Sequence, residues 1–228
     1  MAWFHSKTAA PEWKSVVNPG TYVGTPTGGQ VTVEEQAGNG ATRAVKYLSG
    51  NNSSNYSFGR VIHSQFTICS LSRYTGNSKQ RILQGSQSDW LHGHYNGNVG
   101  VARYGRWGEY GWDGWKTSNT SNFGSEDWLI MCCSNTDSTN PQKNVALVDG
   151  VEERVIDTNV GGVGKQDLVI NQGFVGEEAS DWGVAEVITW SRYLDKTEMQ
   201  EVVDYMKTSL LGSTGEMPQP SHSFLARH

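Results

Sequence analysis

The sequence predicts an all-β fold: a two-sheet antiparallel β-sandwich, or jelly roll, with one short C-terminal helix. Short runs of alternating or β-branched residues recur along the chain, and Gly, Asn and Ser separate them. The composition agrees, because 27 Gly and only 18% charged residues among 228 suit short strands joined by many turns. Helical spacing is found in one segment only, and this length fits one large domain.

The predicted strands are "QVTVEEQ", "RAVKYL", "SFGRVIH", "FTICSLSRY", "RILQG", "WLHGHY", "VGVARY", "WLIMCCS", "NVALVDG", "DLVINQG" and "WGVAEVITWS". The turn signals "NGN" and "VDGVE" predict hairpins, because Asn and Gly adopt positive φ at little cost. We also expect "SRYTGNSKQRI" to form a hairpin, with Arg73 and Lys79 as solvated turn charges.

One helix is predicted in "LDKTEMQEVVDYMKTSLLG". Asp195 can cap its first turn and Glu198 can complete a capping box, while Gly212 provides a stop. An apolar stripe at helical spacing should face the sandwich; it consists of Met199, Val202, Val203, Met206 and Leu210. The expected organisation is therefore a sandwich domain over residues 1–212, followed by a polar tail or linker over residues 213–228.

Charge, hydropathy and cysteine content exclude several classes of function. A net charge of −5 without any basic run argues against a nucleic-acid partner. The sequence contains no stretch of 18 apolar residues, so membrane insertion is not expected. Cys69, Cys132 and Cys133 lack the CxxC spacing of a zinc site. We expect three buried, unpaired thiols, with a bridge from Cys69 to one of the vicinal pair as the alternative.

Four segments resemble the laminin G-like branch of the concanavalin A-like lectin and glucanase superfamily: "FTICSLSRYTGNSKQRILQG", "WLHGH", "NVALVDG" and "WGVAEVITWSRYLDKTEMQEVVDYM". Such domains carry a similar A-E-V-x-x-(aromatic)-x-R-x-L turn before a short helix, where Glu186, Arg192 and Leu194 stand here. The resemblance implies two stacked sheets and a ligand on the concave face or at the loop rim. We also expect an extracellular or cell-surface location, because the carbohydrate that such a module would recognise lies on a cell surface or in the matrix. Its members include lectins, adhesion modules, glycosidases and scaffolds.

The stretch from residue 81 to 115 predicts a carbohydrate-binding face. In a strand "DWLHGHY", Trp90, His92 and His94 point the same way, and flat rings with planar donors suit a sugar. The full predicted set of ligand-binding residues is Arg81, Trp90, His92, His94, Arg103, Tyr104, Trp107 and Trp112. The alternative is that several of these Trp residues, especially Trp112 and Trp115, belong to core or rim packing. Because the Arg and acidic residues of this stretch cancel, a neutral glycan or glycoprotein is the expected partner.

Metal sites are a further hypothesis. The H-x-H pair has the spacing of two transition-metal ligands, although hydrogen bonding is the competing interpretation. Calcium is the candidate cofactor, because it binds hard oxygens from loops; the candidate ligands are Asn135, Asp137 and Asn140, with Glu177, Glu178 and Asp181 as a second set. Neither set has EF-hand spacing, so ordinary polar loops are the alternative.

Catalysis is not expected. A glucanase of this superfamily would carry carboxylates two positions apart on one strand, and none of the 23 acidic residues has that spacing. The sequence therefore favours a non-catalytic recognition module that binds carbohydrate. The alternatives are a structural or protein-interaction subunit of a larger assembly, whose exposed Trp and Tyr would anchor partners, and a glycoside hydrolase or lyase on the same scaffold.

Overall fold

The computed structural model describes residues 1–104, 115–118, 123–135, 145–153 and 165–212, with backbone only at 115–118. The predicted tail, 213–228, lies outside the described residues. In chain order the strands are β1 (Ala2–Phe4), β2 (Trp13–Lys14), β3 (Val23–Gly28), β4 (Val31–Gly38), β5 (Ala41–Gly50), β6 (Asn55–Ile62), β7 (Thr67–Tyr74), β8 (Leu83–Gly85), β9 (Trp90–Tyr95), β10 (Asn98–Tyr104), β11 (Trp115–Ser118), β12 (Leu129–Ser134), β13 (Ala146–Val148), β14 (Val151–Glu153), β15 (Gln166–Ile170) and β16 (Trp182–Trp190). A 3₁₀ turn covers Ser6–Thr8, and helix α1 covers Lys196–Leu211.

The strands form two antiparallel sheets, as the sequence predicts. Sheet 1 has the order β14-β13-β12-β7-β16-β5-β4, and β1 also pairs with β16. Sheet 2 has the order β11-β10-β9-β8-β15-β6-β3-β2. Each predicted strand is present. The strands β1, β2, β3, β11 and β14 were not predicted. Four of them have two to four residues, too few to show alternation, and β3 contains Pro26 and two glycines, which are unfavourable in strands.

The tight hairpins follow from residues that tolerate positive φ. Asn96 and Gly97 connect β9 to β10 with φ of 47° and 77°, and Asp149 and Gly150 connect β13 to β14 with φ of 52° and 84°. The hairpin predicted for "SRYTGNSKQRI" is wrong. Its two ends, β7 and β8, belong to different sheets, so this segment crosses from one layer to the other.

Two hydrophobic clusters hold the layers together. The first lies between the sheets and is rich in fully buried aromatic side chains, which include Phe4, Trp13, Phe58, Phe66, Trp90 and Trp182. The second lies between the outer face of sheet 1 and helix α1. Each fully buried apolar side chain contributes about 1.5–3 kcal/mol to folding, so both interfaces stabilise the fold substantially.

Helix α1 forms as its sequence predicts. Asp195 accepts a hydrogen bond from the backbone N–H of Glu198 (2.9 Å), and the Glu198 carboxylate accepts one from the Asp195 N–H (3.0 Å), which completes the capping box. The predicted stripe is buried against sheet 1. Among the described residues, no helix has the length and apolar character needed to span a membrane.

The cysteines do not follow the expected pattern of three unpaired thiols. Cys69 on β7 and Cys132 on β12 are register partners with Cα atoms 4.1 Å apart, and they form a disulfide beneath helix α1. The alternative bridge from Cys69 is therefore the one present. Cys133 points into the other cluster, between the sheets, because successive side chains of a strand alternate.

Candidate functional site

The predicted carbohydrate face is part of the core. Trp90, His92 and His94 do share one face of β9, but that face is turned toward sheet 1, and all three side chains have no exposed surface. Trp90 stacks on the equally buried Tyr104, with ring centroids 5.1 Å apart and 24° between the planes. The prediction that these four residues meet a ligand is wrong, since the opposing sheet covers them.

The two histidines have structural surroundings. The Nδ1 atom of His92 lies 2.7 Å from the Tyr104 hydroxyl, and its Nε2 atom lies 3.3 Å from the Met131 carbonyl. A carbonyl only accepts, so Nε2–H donates and Nδ1 accepts. His94 packs edge-on against Tyr74, with centroids 4.7 Å apart, and neither of its ring nitrogens has a hydrogen-bond partner among the described residues. Burial lowers the pKa of both imidazoles to about 3, so they are neutral at pH 7.

These histidines do not belong to a metal site within the described residues, where no three His, Cys, Asp or Glu side chains are grouped to hold an ion. The transition-metal hypothesis for the H-x-H pair therefore has no further ligands in this part of the chain. A neutral imidazole between two sheets is better explained by packing and by the hydrogen bonds of His92.

Arg81 and Arg103 lie on the other face of sheet 2, where they pair with acidic side chains. The Asp89 carboxylate bridges them: Oδ1 is 2.5 Å from Arg81 Nη1, and Oδ2 is 3.1 Å from Arg103 Nη1. Arg81 Nε also contacts the Glu178 carboxylate, and its guanidinium lies 5.2 Å from the centre of the Tyr95 ring. Both arginines and Asp89 are nearly sealed from solvent. This ion-pair network binds the segment around Glu178 to the sheet, and its charges satisfy one another.

The other predicted binding residues, Trp107 and Trp112, lie outside the described residues, as do Asp137 and Asn140 of the calcium hypothesis. Asn135 is buried, and both atoms of its side-chain amide are engaged. Its Oδ1 accepts from the Phe66 N–H (2.9 Å), and its Nδ2 donates to the Ser64 carbonyl (2.8 Å). Asn135 therefore connects two backbone segments and does not fit a calcium ligand.

Two residues of the second set of candidate calcium ligands, Glu178 and Asp181, are also engaged. Both oxygens of Asp181 accept backbone N–H groups, from Asn52 (3.0 Å) and Ser78 (2.9 Å). Glu178 contacts Arg81 and accepts from the Tyr95 hydroxyl (3.2 Å). Calcium needs several oxygens converging on one point, and these carboxylates are instead directed at protein donors.

A cleft of about 510 Å³ lies on the outer face of sheet 1, beside the area that helix α1 covers. Polar residues of β4, β5 and β7 line it, together with the loops that follow β5 and precede β16; they are Gln30, Thr32, Glu34, Gln36, Tyr47, Ser49, Gly50, Asn51, Arg73, Thr75, Gly76 and Asp181. We call this the β4–β7 cleft. The sequence did not predict it.

The register of sheet 1 builds the β4–β7 cleft. Thr32 pairs with Ser49, Ser49 pairs with Gly183, and Gly183 pairs with Arg73, so one row crosses β4, β5, β16 and β7. Gly183 leaves room in the middle of this row. A Cβ atom there would lie 3.1 Å from ring carbons of Tyr47, so the absence of a side chain lets that ring lie over β16.

Arg73 packs beside two aromatic rings in the β4–β7 cleft, and these rings also contact each other edge-on, with centroids 5.1 Å apart. Its guanidinium carbon is 5.5 Å from the centre of the Tyr47 ring and 5.3 Å from that of Trp128. Nη2 donates to the Tyr47 hydroxyl and Nη1 to the Glu126 carbonyl, both at 3.3 Å. Arg73 is only 5% exposed, so its interpretation as a solvated turn charge is wrong. The cation–π contacts explain how the charge is tolerated there.

The lining of the β4–β7 cleft suits a ligand rich in hydroxyl groups. Hydroxyls of Thr32, Ser49 and Thr75 and amides of Asn51 and Gln36 provide donors and acceptors. Concave sites with a few convergent polar groups and aromatic side chains are typical of small-molecule recognition. The arrangement can orient a polar ligand, because the hydroxyls and amides can hydrogen-bond to it while it lies against Tyr47 and Arg73.

Burial raises the pKa of the Glu186 carboxyl group to about 7, and it also raises the pKa of Asp149. Glu186 accepts from Trp3 Nε1 (2.5 Å) and from the Tyr205 hydroxyl (2.9 Å), and it has no exposed surface. These bonds connect the N-terminal strand, β16 and helix α1. Glu186 does not line the β4–β7 cleft, so its pKa has a structural cause.

Comparison with known proteins identifies the fold. No family model matches the chain, and no curated protein sequence matches it. Among solved structures, the chain is similar to domain 4 of AbnA, an extracellular GH43 arabinanase of Geobacillus stearothermophilus, in complex with arabinotriose. The TM-score is 0.58 at 13% identity, over 89% of this chain and 97% of that domain.

Two larger proteins contain a similar region. Trypanosoma rangeli sialidase in complex with sialic acid matches with a TM-score of 0.53 at 13% identity, over 91% of this chain and 33% of that one. The binding domain of Paraclostridial Mosquitocidal Protein 1 matches at 0.55 and 12%, over 90% and 52%. The chain thus spans about a third of the sialidase and half of the toxin domain. At such identities the likeness is one of fold, consistent with a concanavalin A-like jelly roll.

Proposed function

We propose that this protein is a non-catalytic carbohydrate-recognition module and that it binds glycans in the β4–β7 cleft. The observation that carries the proposal is the cleft itself: an open polar trough about 510 Å³ in volume, with Tyr47 and Arg73 at its base. The structural neighbours support it, because one is described in complex with arabinotriose and another with sialic acid. Within this fold, the laminin G-like branch is the proposed relationship.

The carboxylates of the cleft support a role in binding rather than hydrolysis. Glycosidases use two carboxyl groups, of which one needs a raised pKa to act as the acid. Asp181 has both oxygens committed to backbone N–H groups, and Glu34 accepts from the Thr32 hydroxyl (2.9 Å) on an exposed edge strand. Glu186, whose pKa is raised, is sealed elsewhere. We therefore assign Asp181 and Glu34 as positioning and hydrogen-bonding groups.

An extracellular or cell-surface location is part of the proposal. The Cys69–Cys132 disulfide supports it, because disulfides persist mainly in oxidising compartments. Glycans for a recognition module are also displayed there. Exchange of dithiothreitol for oxidised glutathione during purification, followed by mass spectrometry, will show whether this bond forms readily.

A glycan array tests the proposed function. Wild-type protein should bind a defined glycan class, and Thr32→Trp should abolish binding, because an indole at this position fills the β4–β7 cleft. Val33→Trp is the matched control. Val33 follows Thr32 on the same exposed edge strand, is 38% exposed and points to the opposite face, so this variant should bind like the wild type.

Three results would contradict the proposal. A blank array from well-folded protein would favour the protein-interaction alternative. Equal binding by Thr32→Trp and the wild type would place the site elsewhere. Release of sugars from a bound polysaccharide would make the protein an enzyme.

A further inference from the structure

Arg73 carries a buried charge in the β4–β7 cleft. Its side chain is 5% exposed, and no carboxylate of the described residues lies within the 4.0 Å that defines an ion pair with it. Burying a guanidinium without a carboxylate is costly. The cation–π contacts with Tyr47 and Trp128 offset part of this cost, by about 0.5–2 kcal/mol each.

The nearby acidic residues have other partners. Glu126, whose carbonyl accepts from Arg73, directs its carboxylate to Lys79 (3.0 Å). Asp181 accepts two backbone N–H groups, and Glu34 accepts from the Thr32 hydroxyl. The carboxylates of Glu34, Glu126 and Asp181 thus have partners other than Arg73.

The donors of Arg73 are only partly used. A guanidinium has five N–H groups, and those of Arg73 make two hydrogen bonds, to the Tyr47 hydroxyl and the Glu126 carbonyl. The buried Nε atom has no partner. Nη1 and Nη2 each keep a second N–H group, and because Arg73 is part of the lining of the β4–β7 cleft, these two groups are the donors left for a ligand there. A planar fork of N–H groups is matched by a planar carboxylate.

We propose that the glycan bound in the β4–β7 cleft is acidic and that its carboxylate pairs with Arg73. This inference rests on the proposed function and names the ligand class. Glu34 and Asp181 would repel the carboxylate of the ligand, so this group must lie at Arg73. The sugar hydroxyls then face Glu34 and Asp181. The neutral ligand expected from the sequence was based on the charge balance of residues 81–115, in which Arg81, Arg103 and Arg106 offset Asp89, Glu109 and Asp113. Asp89 pairs with Arg81 and Arg103 on sheet 2, and none of these three residues lines the β4–β7 cleft, while the other three lie outside the described residues.

Matched ligands test the inference without altering the protein. Oligogalacturonate, a glucuronate-containing oligosaccharide and a sialylated oligosaccharide are each compared with their methyl esters by calorimetry. The ester keeps the sugar and removes the charge. At least one acid should bind tenfold or more tightly than its ester, which is the size expected for a charge-assisted, bidentate pair.

Variants then assign the preference to Arg73. Arg73→Gln should reduce the preference for the acid to less than twofold, and Arg73→Lys should keep part of it, because the charge remains but the fork is lost. Lys46→Gln is the matched control. It removes the same charge from the opposite face of β5, next to Tyr47, and should leave the preference unchanged.

The outcomes separate the two proposals. Equal binding of acids and esters by wild-type protein would overturn the acidic-ligand inference and leave the carbohydrate module intact. No binding of any glycan, with the array also blank, would overturn both. If Arg73→Gln does not fold, which its thermal midpoint will show, the comparison of acids with esters in the wild type decides alone.

Discussion

Truncation of Trp90 to Ala tests which side of β9 faces the core. Trp90 has no exposed surface and packs against Tyr104 and Phe66, with centroid distances of 5.1 and 5.9 Å. Removing a fully buried indole costs about 3–5 kcal/mol, because the surroundings fill the cavity only in part. For a domain of this length each kcal/mol lowers the thermal midpoint by about 2–4 °C, so Trp90→Ala should lower it by about 6–20 °C.

Calorimetric melting and glycan binding should be measured on the same samples. Phe174→Ala is the control, because Phe174 is 54% exposed and its loss should change stability by no more than about 0.5 kcal/mol. Below its melting range, Trp90→Ala should bind glycan like the wild type, since the β4–β7 cleft is on the other sheet. Loss of binding with an unchanged midpoint would refute this reasoning and would make the inner face of β9 the ligand surface.

Three further predictions concern pH, the disulfide and the cleft. The pKa of His94 is about 3 in the folded protein and about 6.5 in the unfolded chain, so the unfolded chain takes up a proton first and the free energy of unfolding falls as pH falls from 6.5 toward 3. His94→Leu should reduce this dependence by about 1.4 kcal/mol per pH unit, measured by urea unfolding. An unchanged pH dependence would contradict the assigned pKa. Replacing Cys69 and Cys132 by Ala opens a loop with a sequence separation of 63 and should lower the free energy of unfolding by about 4 kcal/mol. If neither the replacement nor a reductant changes the melting midpoint, the disulfide is absent. Gly183→Val should displace the Tyr47 ring, lower the free energy of unfolding by about 1–3 kcal/mol and weaken glycan binding. Gly20→Ala is the control and should have none of these effects, because a Cβ atom there meets nothing within 4 Å. Wild-type affinity in Gly183→Val would contradict the assignment of Gly183 to the β4–β7 cleft.

Patterns among neighbouring residues were sufficient to predict the helix, the hairpin turn and the alternation of side chains along the strands. The capping box of Asp195 and Glu198 involves residues three positions apart, and the Asn96–Gly97 turn is a dipeptide, so neighbouring residues decide both structures. Strand alternation likewise placed Trp90, His92 and His94 on one face. These features depend on short-range geometry, which a single sequence records directly.

Which face is buried depends on the opposing layer. Aromatic and imidazole rings on one side of β9 suit a sugar platform, but they suit a core equally when Tyr104 and the Met131 carbonyl complete the hydrogen bonds of His92. Met131 comes from β12 in the other sheet. No pattern within residues 89–95 carries that information, and this is why the predicted site was assigned to the wrong surroundings.

The cleft was missed for a related reason. Tyr47, Arg73 and Gly183 lie on three different strands and become neighbours only through the register of sheet 1. Arg73 lies within β7, directly after the apolar and small residues of that fully buried strand, and this run was the one available signal that its charge is not a turn charge. The glycine has no local explanation at all, because its role is to make room for a ring from another strand.

The most direct test of the central claim is chemical-shift mapping of the ¹⁵N-labelled protein during titration with the tightest glycan from the array. We expect the shifted amides to cluster around Thr32, Ser49, Arg73 and Gly183, on the row that crosses sheet 1. A cluster on β9 and β10, with these four amides unmoved, would contradict the account.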